Sequence, residues 1–541
     1  MRTKTRHIAT ALALLAGPAL AQDPAAENRE LRQRLEAMQL RMEQMEARLA
    51  AMAAGAAPAA PPRAAPAARP VAPPARPATV SSELRQARQA ADEARAAAAE
   101  AQAAQRSAQA AVAPVAVRTE VENSLRGDFP GSFRIPGTDT SVRLYGFVKL
   151  DASYDFSARN QADAVTAQSI PLNPSLASLQ GGSTNVSARR TRLGFETRSP
   201  TAWGQLLSQV EIDFGGTPPS PAGLATSNGF QPRLRLAYAA LGDIADGQLL
   251  VGQFNSLWND DALYFADGRW TRLGIQRLDN STPLGTSGVR QAQVRYSKQI
   301  ADGLTFAVTA ETPYSDFTTS ADGALYPDSS PAIAFNTLPD VLARLRYRDE
   351  SKIFALRGMV RQIEATNNGP GTSGTESAVG WGVGAMTSIS TIGRDFFTGH
   401  VNYGSGIGRY LDSTSNGQGG VLSQPTIGKG VLDTVDVFSV SVGYQRRWSD
   451  TVRSNFFYGY AQLDYPSFAN QFSPTGAGAP LLNTRMNQAV ANIIWSPIPS
   501  VDVGIEYLYT TRDILNPIIA NGLTASQGSS QRLLFSTIVN F

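Results

Sequence analysis

The chain has 541 residues, no cysteine, and 48 Lys plus Arg against 45 Asp plus Glu, a formal net charge of +3. That length exceeds one ordinary globular domain. The near-balanced charge argues against nucleic acid as a bulk partner, and the missing cysteines exclude disulfides, thiolate metal sites and a thiol nucleophile.

Arg2, Lys4 and Arg6 precede an apolar run from Ile8 to Leu15, and Ala19-Leu20-Ala21 follows as a small-x-small site. This pattern predicts a secretory signal over 1–21, with the mature chain starting near Gln22. No later stretch reaches about 18 consecutive apolar residues, so no transmembrane helix is expected.

Residues 22–53 read as a short coiled coil. Leu31, Leu35, Met38, Met42, Met45, Leu49 and Met52 follow Asn28 at alternating spacings of three and four, an a/d heptad seam. A lone helix of this length is marginal in water, so self-association is expected. Residues 54–81 are nearly all Ala, Pro and Arg and predict an extended linker. A second, Ala-rich helix is expected over 82–113 with Ser82 as N-cap, or a disordered spacer in its place, followed by a linker over 114–141.

At Val142 the period changes to two. Val142, Leu144, Val148, Leu150, Ala152 and Tyr154 alternate with Arg143, Lys149, Asp151, Ser153 and Asp155. Sixteen such strands are expected: 142–156, 186–199, 203–215, 232–242, 247–257, 288–299, 302–312, 339–349, 352–364, 377–390, 393–405, 433–448, 451–464, 485–496, 500–512 and 530–541. Short turns alternate with long polar loops at 157–185, 313–338, 406–432 and 465–484. Aromatics such as Tyr145, Tyr154, Phe156, Tyr444, Trp448, Tyr507 and Tyr509 gather near strand ends. The predicted fold is an all-β transmembrane barrel over 142–541 with an N-terminal helical stalk. Outer-membrane lipid is then a partner, and a closed barrel leaves no unpaired backbone edge in hydrocarbon.

By parity the inward face carries Arg190, Arg192, Arg233, Arg235, Arg295, Arg344, Arg346, Arg357 and Arg361. Guanidinium groups stay charged and grip carboxylates bidentately, so an anion-attracting lumen is expected. Simple pairing of each arginine with a wall carboxylate is the alternative. The segment Trp258 to Gly288 follows the fifth strand and carries Asp260, Asp261, Asp267, Arg269 and Arg272, with Arg277 beyond them. Its position suits a loop that folds inward and narrows the passage, with an outer loop that does not enter as the alternative. Apart from His7, the only histidine is His400, expected on the lumen face beside Asn402. No catalytic constellation, metal cluster or phosphate-binding loop emerges, so no enzyme activity, cofactor or metal is expected.

The segments RLYGFVKLDASYDF (143–156), GVRQAQVRYS (288–297) and LLFSTIVNF (533–541) resemble the DcaP-like outer-membrane porins. A terminal strand ending in Phe541 is similar to those of Gram-negative outer-membrane barrels. The resemblance implies a homotrimeric porin that takes up dicarboxylates or related small carboxylate solutes, with a periplasmic coiled coil. The long Ala-rich helix departs from that pattern. A non-selective diffusion porin, and a structural protein whose stalk contacts peptidoglycan, are the alternatives.

Overall fold

The computed structural model describes residues 126–158, 164–216, 230–259, 262–264, 270–272, 275–319, 332–367, 374–411, 419–423, 430–472, 481–520 and 522–541, with isolated positions elsewhere. The chain divides into two units, Met1–Arg106 and Ser107–Phe541. In the first, positions 89, 96, 99, 100 and 102 are helical. The expected signal, heptad seam and Pro/Ala linker lie outside the described residues.

The second unit is a closed barrel of sixteen antiparallel strands. These are β1 (Ser141–Ser157), β2 (Arg192–Thr201), β3 (Gly204–Asp213), β4 (Arg233–Ile244), β5 (Gly247–Asn255), β6 (Arg290–Ala301), β7 (Leu304–Glu311) and β8 (Asp340–Arg348), then β9 (Lys352–Asn367), β10 (Gly374–Ser390), β11 (Phe396–Ser405), β12 (Asp436–Arg447), β13 (Val452–Asp464), β14 (Asn483–Ile498), β15 (Val501–Ala520) and β16 (Leu523–Asn540). Each pairs with the next in sequence, and β16 returns to β1 with Val539 opposite Val148 and Arg532 opposite Asp155. Closure leaves no free edge.

The two faces of β1 show why the strands form. Leu144, Val148, Leu150 and Tyr154 are exposed on the outside, whereas Lys149, Asp151, Ser153 and Asp155 are buried on the inside. Apolar side chains on the outer surface suit hydrocarbon, and the polar set is left to the lumen. Across the β16–β1 seam, Arg532 donates Nε to Asp155 Oδ1 at 2.7 Å and Nη2 to Oδ2 at 3.0 Å. This bidentate pair, buried on both sides, fixes the closing register.

Four expectations need correction. The second strand is broken: Ser183–Ser187 pairs with β1, a turn at 188–191 follows, and β2 begins at Arg192. Arg190 therefore sits in that turn, where the adjacent Arg189 reaches the carbonyls of Gly215 and Gly216. Tyr145 points inward, not to a lipid girdle, and lies 3.4 Å from Glu211. Between β15 and β16 only 521–522 separate the strands, because pairing resumes at Ile518 opposite Ala525 after an irregularity at 513–518. The strands expected at 500–512 and 530–541 are thus longer, Val501–Ala520 and Leu523–Asn540, and a short connection costs less closure entropy than a long one. In β4 the pairing shifts between Glu211–Leu236 and Ile212–Leu234, which makes Arg235 an extra residue. Such a bulge turns Leu236, Tyr238 and Ala240 inward beside Arg233 and Arg235.

Candidate functional site

A sixteen-stranded barrel is too wide for wall side chains to fill. Chain from three connecting segments occupies part of the space. Val165 and Ala167, Leu257 with Trp258, Leu278 and Leu284, and Ile407 with Tyr410 are all buried. The segment 275–288 crosses to the wall formed by β11–β16 and β1. There Glu506 of β15 accepts from Leu278 N at 2.8 Å, Asp279 N at 2.9 Å and Asn492 Nδ2 at 2.7 Å. Lys149 donates Nζ to the Leu278 carbonyl at 2.6 Å and to Asn280 Oδ1 at 2.7 Å. Gln276 joins Arg453 and Asp502, and Arg277 donates to Gln488.

Packing follows the same line. Ile275 and Leu278 join Phe457, Val490, Ile494, Leu508 and Leu534 in one buried cluster. These wall residues share the inward parity of Gln488, Asn492, Glu506 and Arg532, and they are apolar where a water-facing lumen would be polar because the loop covers them. Glycines make the room. A Cβ on Gly504 would lie 2.8 Å from Leu278 Cδ1, and one on Gly459 would lie 2.5 Å from the Leu284 carbonyl oxygen. On β10, a Cβ on Gly382 would approach Ile407 and Trp258, so the bare glycine face is filled from the lumen side.

Where 275–288 lies against the far wall, the arginine-bearing strands face two cavities. The first, of about 860 Å³, is lined by Arg190, Arg192, Arg233, Arg235, Arg277, Arg290 and Arg409, with Glu211 and Asp279 among them. Several are paired. Arg233 donates to both oxygens of Asp213, at 2.9 and 2.7 Å. Arg235 donates to Glu211 at 2.9 Å and to Asp213 at 2.6 Å, and Arg192 lies 3.3 Å from Glu211. Seven guanidinium groups thus meet three carboxylates among the described residues. A surplus of one sign in a partly desolvated passage raises the potential for the opposite ion.

The second cavity, of about 670 Å³, meets the first at Asn255 and Asn259 and reaches the turn around Gly247. Arg295, Arg344 and Arg346 line it. Arg295 donates to the Asn255 carbonyl at 2.6 Å, and Arg344 reaches the Leu257 and Asn259 carbonyls at 3.4 and 3.3 Å. Both therefore brace the start of the inward segment.

Of the nine expected arginines, seven line the two cavities, and two do not. Arg357 stacks over Trp258 at 4.9 Å and donates to Asn402 at 2.7 Å. Arg361 is buried between Asp316 at 2.8 Å and Asp340 at 3.4 Å, where it ties two inward segments together. Asp260, Asp261, Asp267 and Arg269 lie outside the described residues. Arg272 ends a short strand, Trp270–Arg272, that pairs with Ala262–Tyr264, and its side chain also lies outside them. Arg290 and Arg409 are not among the arginines that parity places inward: Arg290 opens β6, and Arg409 comes from the connection after β11. Alternation holds no signal for a residue delivered by a loop. His400 is buried on the lumen face of β11. Among the described residues no group of acidic or histidine side chains is arranged to hold a metal.

A family model described as DcaP outer membrane protein matches residues 129–522. Among solved structures, the outer membrane channel DcaP of Acinetobacter baumannii has a TM-score of 0.56 at 20% identity, covering 76% of this chain and 100% of that one. The anion-selective porin from Comamonas acidovorans has a TM-score of 0.43 at 11% identity, over 74% of this chain and 100% of that one. OmpT of Vibrio cholerae has a TM-score of 0.42 at 11% identity, over 75% and 99%. No curated protein sequence matches. The family match spans most of the barrel, and the closed sixteen-stranded fold agrees with it: the chain belongs to the DcaP outer membrane protein family and is an outer-membrane channel of the porin type.

Proposed function

We propose that the protein is a trimeric porin for passive diffusion of small anions, dicarboxylates foremost, along the arginine wall of β2–β8. The observation that carries this reading is the first cavity, where Arg190, Arg192, Arg233, Arg235, Arg277, Arg290 and Arg409 converge. Neighbouring guanidinium forks suit a solute with two carboxylates, since each fork can donate to both oxygens of one carboxylate. Pairing with Glu211 and Asp213 holds the Arg233 and Arg235 forks in place. The heptad seam at 31–52 supports self-association through the N-terminal segment, and contact of that segment with peptidoglycan belongs to the same reading.

Reversal potential in planar bilayers tests the selectivity. Chloride should permeate better than potassium, and millimolar succinate should block the current. The double variant Arg233→Ala/Arg235→Ala frees Asp213 and Glu211 and removes two charges from the cavity. It should cut the chloride preference several-fold, given Coulomb energies of roughly 1–4 kcal/mol per close charge pair in this setting. A ratio near one in the unmodified channel, with no succinate block, supports a non-selective porin instead. Deletion of 22–113 tests the stalk: loss of the SDS-resistant trimer is expected.

A further inference from the structure

The second cavity has one wall that a polar lumen does not call for. Leu207, Leu236, Tyr238, Ala240, Leu250 and Phe254 turn inward from β3, β4 and β5 and form a buried apolar cluster. Inward apolar residues on β13–β16 are covered by Ile275 and Leu278 of the pore loop. The cluster on β3–β5 instead lines the cavity, through Leu207, Tyr238, Leu250 and Phe254. Its edge-to-face pair, Tyr238 and Phe254, has ring centroids 4.5 Å apart at 62°. The bulge at Arg235 is what brings Tyr238 to this face.

Arg295, Arg344 and Arg346 line the same space. Cation and apolar wall touch: the Arg295 guanidinium lies 5.3 Å over the Phe254 ring, and Arg295 pairs across the sheet with Leu250. At about 670 Å³ the cavity is of small-molecule size. A charged rim beside an aromatic and aliphatic wall matches an anion that carries an apolar body.

We propose that this cavity is a second station, which holds monocarboxylates with an aromatic or aliphatic body. The carboxylate sits toward Arg344 and Arg346 and the body lies on Leu250 and the Tyr238–Phe254 pair. This rests on the anion-conducting reading above and adds a solute class to it. Small dicarboxylates gain nothing from the apolar wall, whereas a ring placed edge-to-face gains contact that hydration does not give.

The test uses the full-length channel in planar bilayers, with acetate, butyrate and benzoate as blockers at equal concentration on the periplasmic side. Residence time should rise along that series, with benzoate about tenfold longer than acetate. Leu250→Thr keeps a strand-forming residue and should bring the benzoate-to-acetate ratio down at least threefold. Arg346→Gln should shorten both residence times in parallel. Equal residence of benzoate and acetate in the unmodified channel, or a ratio untouched by Leu250→Thr, overturns the proposal. The acid series on the unmodified protein decides even if a variant does not fold. A chloride preference that survives such a result leaves the small-anion reading standing, whereas a cation-preferring channel refutes that reading first.

Discussion

Substituting Glu506 by alanine should release the pore loop from the far wall. This buried carboxylate accepts from the Leu278 and Asp279 amides and from Asn492. Each hydrogen bond to a charged group contributes roughly 1.5–3 kcal/mol, and two backbone N–H groups would be left unpaired. Removing a buried charge relieves desolvation, which offsets part of that sum, so a net cost of about 3 kcal/mol is reasonable. Lys149, Arg277 and the Leu278 packing remain. The docked loop should therefore lose roughly 100-fold of its preference over the released one, without unfolding of the barrel. Single-channel recording should show larger and noisier currents. The chain has no cysteine, so Ser281→Cys introduces a unique thiol. Its labelling rate should rise by roughly one to two orders of magnitude in the Glu506→Ala background. Glu506→Gln, which keeps one acceptor oxygen, should fall between. Unchanged conductance, noise and labelling would refute the reasoning, since the loop would then be held by packing alone.

Arg532→Leu leaves Asp155 buried without its bidentate partner at the closing seam, and should destabilise by about 3–5 kcal/mol. The temperature at which the folded band disappears on SDS gels should drop accordingly. Gly459→Ala places a Cβ against the Leu284 backbone and should cost about 1–3 kcal/mol of loop docking, read as current noise without loss of the folded band. In the turn between β8 and β9, the Ser351 backbone N–H holds the Asp349 carboxyl down to about 2. A depressed carboxylate contributes stability above its unfolded value near 4, and that contribution fades as pH falls toward 2. Asp349→Asn should therefore be less stable than the unmodified protein at pH 6 and converge with it near pH 2, as followed by thermal melts.

Strand content was legible because the bilayer imposes a two-residue period on every spanning segment. The outward set on β1 and the closing pair of β16 with β1 follow from that period and the even count. The interior was less legible. Leu534, Leu508, Ile494 and Phe457 break the alternation in adjacent apolar pairs, such as Leu533-Leu534 and Ile493-Ile494. Those pairs mark a wall covered from within, and they were the available signal that a loop docks there. Nothing in sequence reports the bulge at Arg235, because a bulge is a property of pairing. The turn that holds Arg190 is equally silent in sequence, because a turn inside an alternating stretch leaves the parity intact.

The amino-acid sequence alone determined the spanning architecture, since lipid outside and water inside act on each residue through its own polarity. Tertiary structure decided which arginines share a cavity. Arg190, Arg277, Arg290 and Arg409 come from a turn, a loop, a strand end and another loop and line one cavity, and the 275–288 segment, bound to Glu506 across the barrel, delivers Arg277 to it. It also set Arg357 and Arg361 apart from their neighbours, by giving one an indole to stack on and the other two carboxylates to hold. Position along a strand fixes only which face a side chain takes. Its partner, and hence its role, comes from chain far away in sequence.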